Sequence, residues 1–172
     1  LLACLAGLDE PDGGSVSIDG TRISRRSEEE RARIRGARIG MLFQQANLVG
    51  HLSVADNIAL AQRMSDGSSG PDWRSQVMER CGIDHRASSR PAQLSGGELA
   101  RAGLAGALAN DPPVILADEP TGNLDSHTSA AIFGLFGKLA ATGKTVVVVT
   151  HERDTSGLVD RTVELADGMV AY

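Results

Sequence analysis

The sequence predicts an α/β fold, with a mostly parallel sheet covered by helices on both faces and a helical insertion. Short apolar runs of strand length alternate with longer segments of helical periodicity, the pattern typical of parallel sheets. From about residue 50 to residue 95 the strand patterns stop and only helical ones remain. The predicted core is therefore residues 1–48 and 101–172, and the predicted helical subdomain is residues 49–100.

Composition limits the classes of protein to consider. The chain has 172 residues, of which 41% are hydrophobic and 23% charged, enough for one sizeable core. Its net charge of −5 gives no electrostatic reason to expect a nucleic-acid partner. The two cysteines form no close pair, which fits a reducing cytosol. No apolar run approaches the ~20 residues of a membrane-spanning helix, and no secretory signal is expected.

The first elements are a helix, a strand and a charged helix. Leucines recur at helical spacing over residues 1–8, which looks like the tail of a helix that ends in a turn-rich stretch. Residues 15–18 alternate like a strand and lead into a tight turn at Asp19-Gly20. Ser27 and Glu30 form a capping-box pattern that opens a helix to about residue 35, whose mixed charges indicate a solvated face.

The remaining elements alternate between the two types after a short apolar strand at residues 39–43. In order, the patterns predict helices at 54–64 and 73–81 joined by a linker at 65–72, a helix from 97 to about 110, a strand at 114–117, a helix at about 126–141, a strand at 145–150, a short helix near Arg153 and a hairpin around Asp167-Gly168.

Two adjacent carboxylates, Asp118 and Glu119, follow the buried strand at residues 114–117. Ligands of open α/β sheets bind outside the carboxyl ends of the strands. In a nucleotide hydrolase Asp118 would hold Mg²⁺, directly or through water, and Glu119 would orient or deprotonate the attacking water. The alternative is an acidic pair that caps the next helix.

Ser95 and Glu98 satisfy a second capping-box pattern, with Gly96 and Gly97 between them. A glycine costs roughly 1 kcal/mol in a helix interior, so a purely structural cap would not need two of them. Free amides, a hydroxyl and the positive end of the helix dipole together form a site for a phosphate. A merely structural cap is the alternative.

Gln44 and His151 each follow a predicted strand. Gln44 offers a carbonyl oxygen to a metal or a water molecule, and the imidazole of His151 could donate to a γ-phosphate oxygen. The strand before His151 is expected beside the strand at 114–117. Taken singly, either residue is more simply a surface side chain.

The tripeptide Gly143-Lys144-Thr145 matches the end of the phosphate loop G-x-x-x-x-G-K-[ST]. The first glycine of that loop would fall at Lys138, and the tripeptide follows a helix and opens a strand, the reverse of the required order. We therefore predict a simple turn.

With these motifs in order, the chain resembles the ABC ATPase family over nearly its whole length. Gln44 matches the Q-loop glutamine, residues 94–98 the signature, residues 116–119 the end of Walker B, residues 123–125 the D-loop and His151 the switch histidine. The resemblance implies a P-loop NTPase-type core with an inserted ABC α-helical subdomain that hydrolyses ATP with Mg²⁺.

The family's assembly is a head-to-tail homodimer or a pair of ATPase domains, and the resemblance implies the same here. The signature residues Ser95, Gly96, Gly97 and Glu98 would then serve the partner's nucleotide, and Asp125 would lie at the dimer contact. Gln44 would sit at the hinge between the core and the helical lobe. Integral membrane permease subunits are the implied partners, with the protein at the inner face of the cell membrane.

The amino-acid sequence of residues 40–48 and 117–125 is most similar to that of the lipoprotein-releasing and macrolide-exporter branch, although a cell-division ATPase relative shares much of it. A non-catalytic regulatory module and a soluble ATPase of DNA repair or translation remain alternatives. The short helical insertion, which lacks coiled-coil heptads, argues against the DNA-repair type.

The sequence departs from the family pattern in two ways. Gly103 and Gly106 are expected to soften the helix after the signature. Walker A, the N-terminal β-region and the adenine-stacking aromatic are not found, and the chain opens on Leu1 rather than Met. We therefore expect a glycine-rich loop encoded upstream, and we expect little ATPase activity and poor stability from these 172 residues alone.

Overall fold

The computed structural model describes residues 1–65, 70–151 and 157–171. In chain order the helices and strands are α1 (Leu2–Leu5), β1 (Ser17–Ile18), β2 (Thr21–Arg22), α2 (Glu28–Arg38), β3 (Ile39–Leu42), α3 (Val54–Arg63), α4 (Pro71–Arg80), α5 (Gly96–Ala107), β4 (Val114–Asp118), α6 (Ser126–Ala141), β5 (Thr145–Val149), β6 (Glu164–Ala166) and β7 (Met169–Ala171), with short 3₁₀ turns at Asp84–Arg86 and Pro91–Gln93.

The central sheet has three parallel strands in the order β3-β4-β5. In this register Ile39 lies opposite Val114, and Val114 lies opposite Thr145. The carboxyl ends of the three strands therefore meet at one edge, which confirms that the strand before His151 runs beside the strand of the two carboxylates. Two-stranded antiparallel hairpins, β1-β2 and β6-β7, accompany the sheet.

Alternate residues of β4 point into two different cores. Ile115 and Ala117 pack with helices α3, α5 and α6, where Leu104 and Phe133 are also buried. Leu116 points the other way, into a smaller core. Because β4 is buried on both faces, it is continuously apolar rather than alternating, as the sequence predicts.

The smaller core is formed by α1, the β1-β2 hairpin and α2. Its buried members are Ala6, Ile18, Ile23, Ile39 and Leu116. The hairpin turn at Asp19-Gly20 has positive φ at both residues, +47° and +72°, as a two-residue hairpin turn of the primed type requires.

Helix α2 begins with the predicted capping box. The hydroxyl of Ser27 accepts from the Glu30 amide at 3.3 Å, and the Glu30 carboxylate accepts from the Ser27 amide at 3.2 Å. No residue of this helix is buried, and its charges pair along the helix, for example Arg33 with Glu29 at 3.2 Å. The mixed charges of this segment therefore form a solvated face, as predicted.

Helix α5 is continuous from Gly96 to Ala107, so it crosses the predicted boundary between residues 100 and 101 without a break. The helical path is unbroken at both Gly103 and Gly106. A Cβ atom at Gly103 would lie 3.0 Å from Leu42 Cδ1 and 3.2 Å from Ala46 Cβ, so this glycine lets the helix pack closely on the end of β3.

Two further differences concern boundaries. Helix α1 covers only Leu2–Leu5, because Gly7 adopts a left-handed φ of +66° and ends the helical path. Helix α5 ends at Ala107, before the predicted 110, and the chain then reaches Pro112 and Pro113, which cannot extend a helix. The short helix predicted near Arg153 falls outside the described residues.

Candidate nucleotide-hydrolysis site

The end of strand β4 presents the two predicted carboxylates at the common edge of the sheet. Asp118 is the last residue of the strand and lies opposite Val149 of β5. The amide of Glu119 donates to the Val149 carbonyl at 2.9 Å, and Glu119 itself takes a left-handed φ of +46°. A non-glycine residue in this region is uncommon, and such strain is often found at functional sites.

The Glu119 carboxylate is largely enclosed, with 17% of its side chain exposed. Its Oε1 atom is buried and has no hydrogen-bond partner in the part of the chain that the structure describes. His151 Nε2 is 3.4 Å from this oxygen, while the His151 side chain is otherwise 97% exposed. The structure thus places the predicted histidine directly beside the predicted carboxylate.

Gln44 reaches the same place from the end of β3. A Cβ atom at Gly122 would lie 3.2 Å from Gln44 Nε2 and 3.7 Å from Glu119 Oε2. Both side chains therefore border the space over Gly122, in the loop between β4 and α6. Gln44 is exposed, so its amide can still turn toward solvent or toward a ligand.

The donor set at this edge fits Mg²⁺. Asp118, Glu119 and the amide of Gln44 offer oxygen atoms, the ligand type that this hard cation takes, and Oε1 of Glu119 is buried and accepts no hydrogen bond from residues 1–65, 70–151 or 157–171. Mg²⁺ is commonly held by one or two carboxylates and completed by water and phosphate oxygens. Asp118 and Gln44 are the residues that would hold it.

The first turn of helix α5 forms the second group of predicted residues. The hydroxyl of Ser95 accepts from the Glu98 amide at 3.3 Å and donates to Glu98 Oε2 at 2.9 Å. The Ser95 amide donates to the same oxygen at 2.8 Å. The capping box is therefore complete, and Ser95 and Gly96 remain exposed at the helix start.

The second oxygen of Glu98 is engaged from the helical subdomain. Arg86 Nε donates to Glu98 Oε1 at 2.7 Å, and His85 Nε2 is 3.4 Å from the same atom. Hydrogen bonds from the Ser95 amide, from Arg86 and from the Ser95 hydroxyl lower the pKa of Glu98 to about 2. Sequence reasoning missed Arg86 and His85, because no spacing pattern relates positions 85 and 86 to position 98.

The same turn packs against the start of helix α6. A Cβ atom at Gly97 would lie only 2.6 Å from Thr128 Cγ2, and one at Gly96 would lie 3.2 Å from Leu124 Cδ2. The two glycines therefore permit a close approach within the chain, in addition to the exposed amides that the sequence analysis considered. Sequence reasoning also missed Thr128, which no motif contains.

Asp125 is the N-cap of helix α6. Its carboxylate accepts from the Thr128 amide at 3.0 Å and from the Thr128 hydroxyl at 2.6 Å, and these hydrogen bonds lower its pKa. The structure thus sorts the predicted residues into two groups. Gln44, Asp118, Glu119 and His151 lie at the sheet edge, and Ser95, Gly96, Gly97, Glu98 and Asp125 lie where α5 and α6 begin.

The tripeptide at residues 143–145 has no part in either group. Gly143 lies in the turn between α6 and β5, Lys144 Nζ pairs with Asp111 Oδ1 at 2.7 Å, and Thr145 opens β5. It is the turn that the sequence predicts.

Similarity to known proteins identifies the family of the chain. The sequence pattern of the family described as ABC transporter matches residues 1–122. The lipoprotein-releasing system ATP-binding protein LolD of Bacteroides thetaiotaomicron is 39% identical over 99% of this chain and 79% of the relative. The chain belongs to the ABC transporter family.

Other ABC transporter relatives agree with this placement. The macrolide export ATP-binding/permease protein MacB of Chlorobium phaeobacteroides is 41% identical over 99% of this chain, which spans only 26% of that longer protein. The solved ATP-binding cassette MJ0796, a dimer bound to ADP and Pi, superposes with a TM-score of 0.87 and 36% identity over 99% of this chain and 77% of the cassette.

The fold of the chain is therefore the P-loop NTPase-type α/β fold of ABC cassettes, as the resemblance implied. Among the helices that the structure describes, none combines the length and the apolarity that a membrane crossing needs.

Proposed function

We propose that the full-length protein is the ATP-binding and ATP-hydrolysing subunit of an ABC transporter of the lipoprotein-release or export type. Similarity over 99% of the chain to relatives named for lipoprotein release and macrolide export supports this type. Its partners are then integral membrane permease subunits, and its place is at the inner face of the cell membrane.

The main support for the proposed hydrolysis is the environment of the Glu119 carboxylate. A buried acceptor without a hydrogen bond costs about 1–3 kcal/mol, or more when it is charged. Oε1 of Glu119 has no hydrogen bond from the described residues, and a water molecule that donates to it would offset this cost. Glu119 would hold that water, accept its proton and so turn it into the nucleophile that attacks the γ-phosphate.

The neighbouring side chains have separate roles in the proposed mechanism. His151, whose Nε2 is 3.4 Å from Glu119 Oε1, carries an imidazole that donates to a γ-phosphate oxygen. Asp118 and Gln44 hold the metal through their oxygen atoms. When bound, Mg²⁺ neutralises negative charge on the β- and γ-phosphate oxygens.

The second group of residues acts on another copy in this proposal. Ser95, Gly96 and Gly97 are presented at the start of helix α5 and bind the nucleotide held by a second ATPase domain, Glu98 holds this turn in place through the capping box, and Asp125 lies at the contact between the two copies. The dimeric state of the solved cassette supports this arrangement. ATP then closes the dimer, hydrolysis reopens it, and the helical subdomain at residues 49–100 transmits the motion to the permease.

The decisive experiment is Glu119→Gln in the full-length protein. The amide cannot accept the proton of the attacking water, so we expect steady-state ATP hydrolysis to fall about 10²–10⁴-fold while Mg²⁺-dependent ATP binding is kept. Glu29→Gln is the matched control, because Glu29 is 83% exposed on helix α2. Hydrolysis by Glu119→Gln at the rate of this control would contradict the proposed role.

The transport part of the proposal has its own test. Purification of the full-length protein from detergent-solubilised membranes is expected to bring an integral membrane permease with it. Recovery without any membrane protein, together with intact ATPase activity, would argue for an ATPase outside transport.

A further inference from the structure

Glu98 divides its two carboxylate oxygens between two parts of the molecule. Oε2 accepts from the amide of Ser95 at 2.8 Å and from its hydroxyl at 2.9 Å. Oε1 accepts from Arg86 Nε at 2.7 Å. One side chain therefore joins the exposed serine at the start of α5 to an arginine of the helical subdomain.

This carboxylate is ionised and enclosed. Its side chain is 12% exposed, and the donors around it lower its pKa to about 2. Glu98 is consequently a charged acceptor at every physiological pH. The other titratable group that faces it, His85, has its Nε2 3.4 Å from Oε1 and adds positive charge there only when it is protonated.

The backbone of Arg86 is hydrogen-bonded to the core of the helical subdomain. Arg86 ends the 3₁₀ turn Asp84–Arg86, and its amide donates to the carbonyl of Ile83 at 2.9 Å. Ile83 is fully buried, and its own amide donates to Met78 of helix α4 at 2.9 Å. The backbone of Arg86 is therefore tied to the core of the helical subdomain, and its side chain, which is 42% exposed, is directed by its hydrogen bond to Glu98.

We infer that Arg86 is a positioning residue for phosphate binding at the start of helix α5: it holds the Glu98 carboxylate, and the carboxylate holds Ser95. Without Arg86, Oε1 would lose its 2.7 Å donor and the carboxylate could rotate about its last side-chain bond. The capping box at Ser95 would then be held less firmly, and the backbone amides of Gly96 and Gly97 that it orients would be less well placed for a phosphate. This inference rests on the proposed function, in which the start of helix α5 serves the nucleotide of a second copy.

The test uses three variants in the full-length protein that also carries Glu119→Gln, so that ATP is held and not turned over. Arg86→Met removes the donor and keeps the length of the side chain. Arg86→Gln keeps a neutral N–H donor at the position of Nε. Arg63→Met is the matched control, because Arg63 is an exposed arginine of the same subdomain.

The measurement is the ATP concentration that gives half of the dimer, followed by analytical ultracentrifugation. A hydrogen bond to a charged group corresponds to an effect of about tenfold or more, so we expect Arg86→Met to raise this concentration by that factor. Arg86→Gln should raise it less than about threefold. Arg63→Met should match the parent.

A second readout separates positioning from folding. ATP affinity measured at protein concentrations too low for dimers reports only the chain's own site, and we expect Arg86→Met to leave it unchanged. A loss of that affinity equal to the loss of dimerisation would overturn the inference, and so would a dimer midpoint for Arg86→Met equal to that of Arg63→Met.

Two further outcomes distinguish this inference from the proposed function. A parent protein that forms no dimer with ATP overturns the proposed function before any change at Arg86 is considered, and the inference falls with it. If the parent does dimerise, an NMR titration of the Glu98 carboxyl tests the link itself. Its pKa should rise in Arg86→Met, and an unchanged pKa would contradict the hold of Arg86 on Glu98.

Discussion

Glu98 and Glu119 are carboxylates with opposite surroundings. Glu98 receives hydrogen bonds at both oxygens, which stabilise its charge and hold it still. Glu119 stands at the end of a strand with Oε1 buried and no hydrogen bond to it from the described residues. Both oxygens of Glu98 are thus occupied, whereas Oε1 of Glu119 still has lone-pair capacity to accept a hydrogen bond from a water molecule. The donors nearby, and not the residue type, suit one for structure and the other for chemistry.

At the same scale, Gly97 should not tolerate a side chain. The Cβ atom of Gly97→Ala would lie 2.6 Å from Thr128 Cγ2, so the start of α5 must move away from α6. We expect Gly97→Ala to lower the free energy of unfolding of the full-length protein by about 1–3 kcal/mol, as other overpacked sites do. Urea unfolding measures this.

Two variants give this prediction its controls. Thr128→Ser removes the obstructing methyl group, so adding it to Gly97→Ala should recover part of the loss. Gly134→Ala introduces the same methyl group on helix α6 where nothing lies within 4 Å, and it should stabilise the protein by roughly 0.5–1 kcal/mol. Equal losses in Gly97→Ala and in the double variant would show that Thr128 is not the obstacle.

At the scale of the element, the start of helix α5 combines a structural cap with exposed groups. In the sequence, the pattern from Ser95 to Glu98 fits either a capping box or a phosphate site. In the structure Ser95 and Glu98 form the complete box, and the backbone of Gly96 is still exposed beside it. The cap orients the exposed amides, so the two interpretations describe the same turn.

The pH dependence of this cap follows from the lowered pKa of Glu98. Because the folded value is about 2 and the ordinary value is 4.5, the ionised carboxylate stabilises the folded state fully above about pH 4.5. That stabilisation is lost as the pH falls from there toward 2. We expect the stability difference between the parent and Glu98→Gln, measured by urea unfolding, to be constant from pH 5 to 7 and to shrink below about pH 4.5.

Subtracting the variant removes the contributions of Glu28, Glu30 and Asp125, whose pKa values are also lowered and which titrate in the same direction. A difference for Glu98→Gln that stays constant down to pH 3 would contradict the assigned hydrogen bonds.

At the scale of the whole molecule, the helical subdomain is joined to the core around the end of helix α5. Trp73 Nε1 donates to the Leu108 carbonyl at 3.0 Å, and Gln62 Nε2 donates to the Ala109 carbonyl at 3.3 Å. Asn110 Nδ2 donates to the Ala61 carbonyl at 3.1 Å. Side chains from two elements of the subdomain and from the core thus converge on the turn after α5.

Asn110 tests this junction. Its side chain bonds to the ends of helices α2 and α3, through the carbonyls of Gly36 and Ala61. Asn110→Ala leaves these part-buried carbonyls without that donor, so we expect a loss of about 1–3 kcal/mol in thermal or urea unfolding of the full-length protein. Asn47→Ala, at an exposed position, should change stability by less than about 0.5 kcal/mol. Equal stability changes in the two variants would show that Asn110 does not help to join the helical subdomain to the core.

Much of the fold was predictable because local chemistry agrees with the tertiary structure. Ser27 and Glu30 predict the start of helix α2, and Asp19-Gly20 predicts the hairpin turn. The apolar run of β4 predicts a strand that is buried on both faces. Helix ends were less predictable. The end of α1 depends on the left-handed backbone of Gly7, next to Ile23 from another element, and no local pattern specifies that neighbour.

From the sequence alone come the class of the fold, the approximate positions of most of its strands and helices, and the candidate residues Gln44, Asp118, Glu119 and His151, since each follows or ends a predicted strand. These features depend on residue type and short spacing, which a single sequence displays.

The partners of the site residues depend on the tertiary structure. His151 Nε2 lies 3.4 Å from Glu119 Oε1, Arg86 donates to Glu98, and Gly97 packs against Thr128. The physical reason is that such contacts are set by how elements pack across the core and the subdomain. Packing depends on shape and distance in three dimensions, and these leave no periodic signal along the chain.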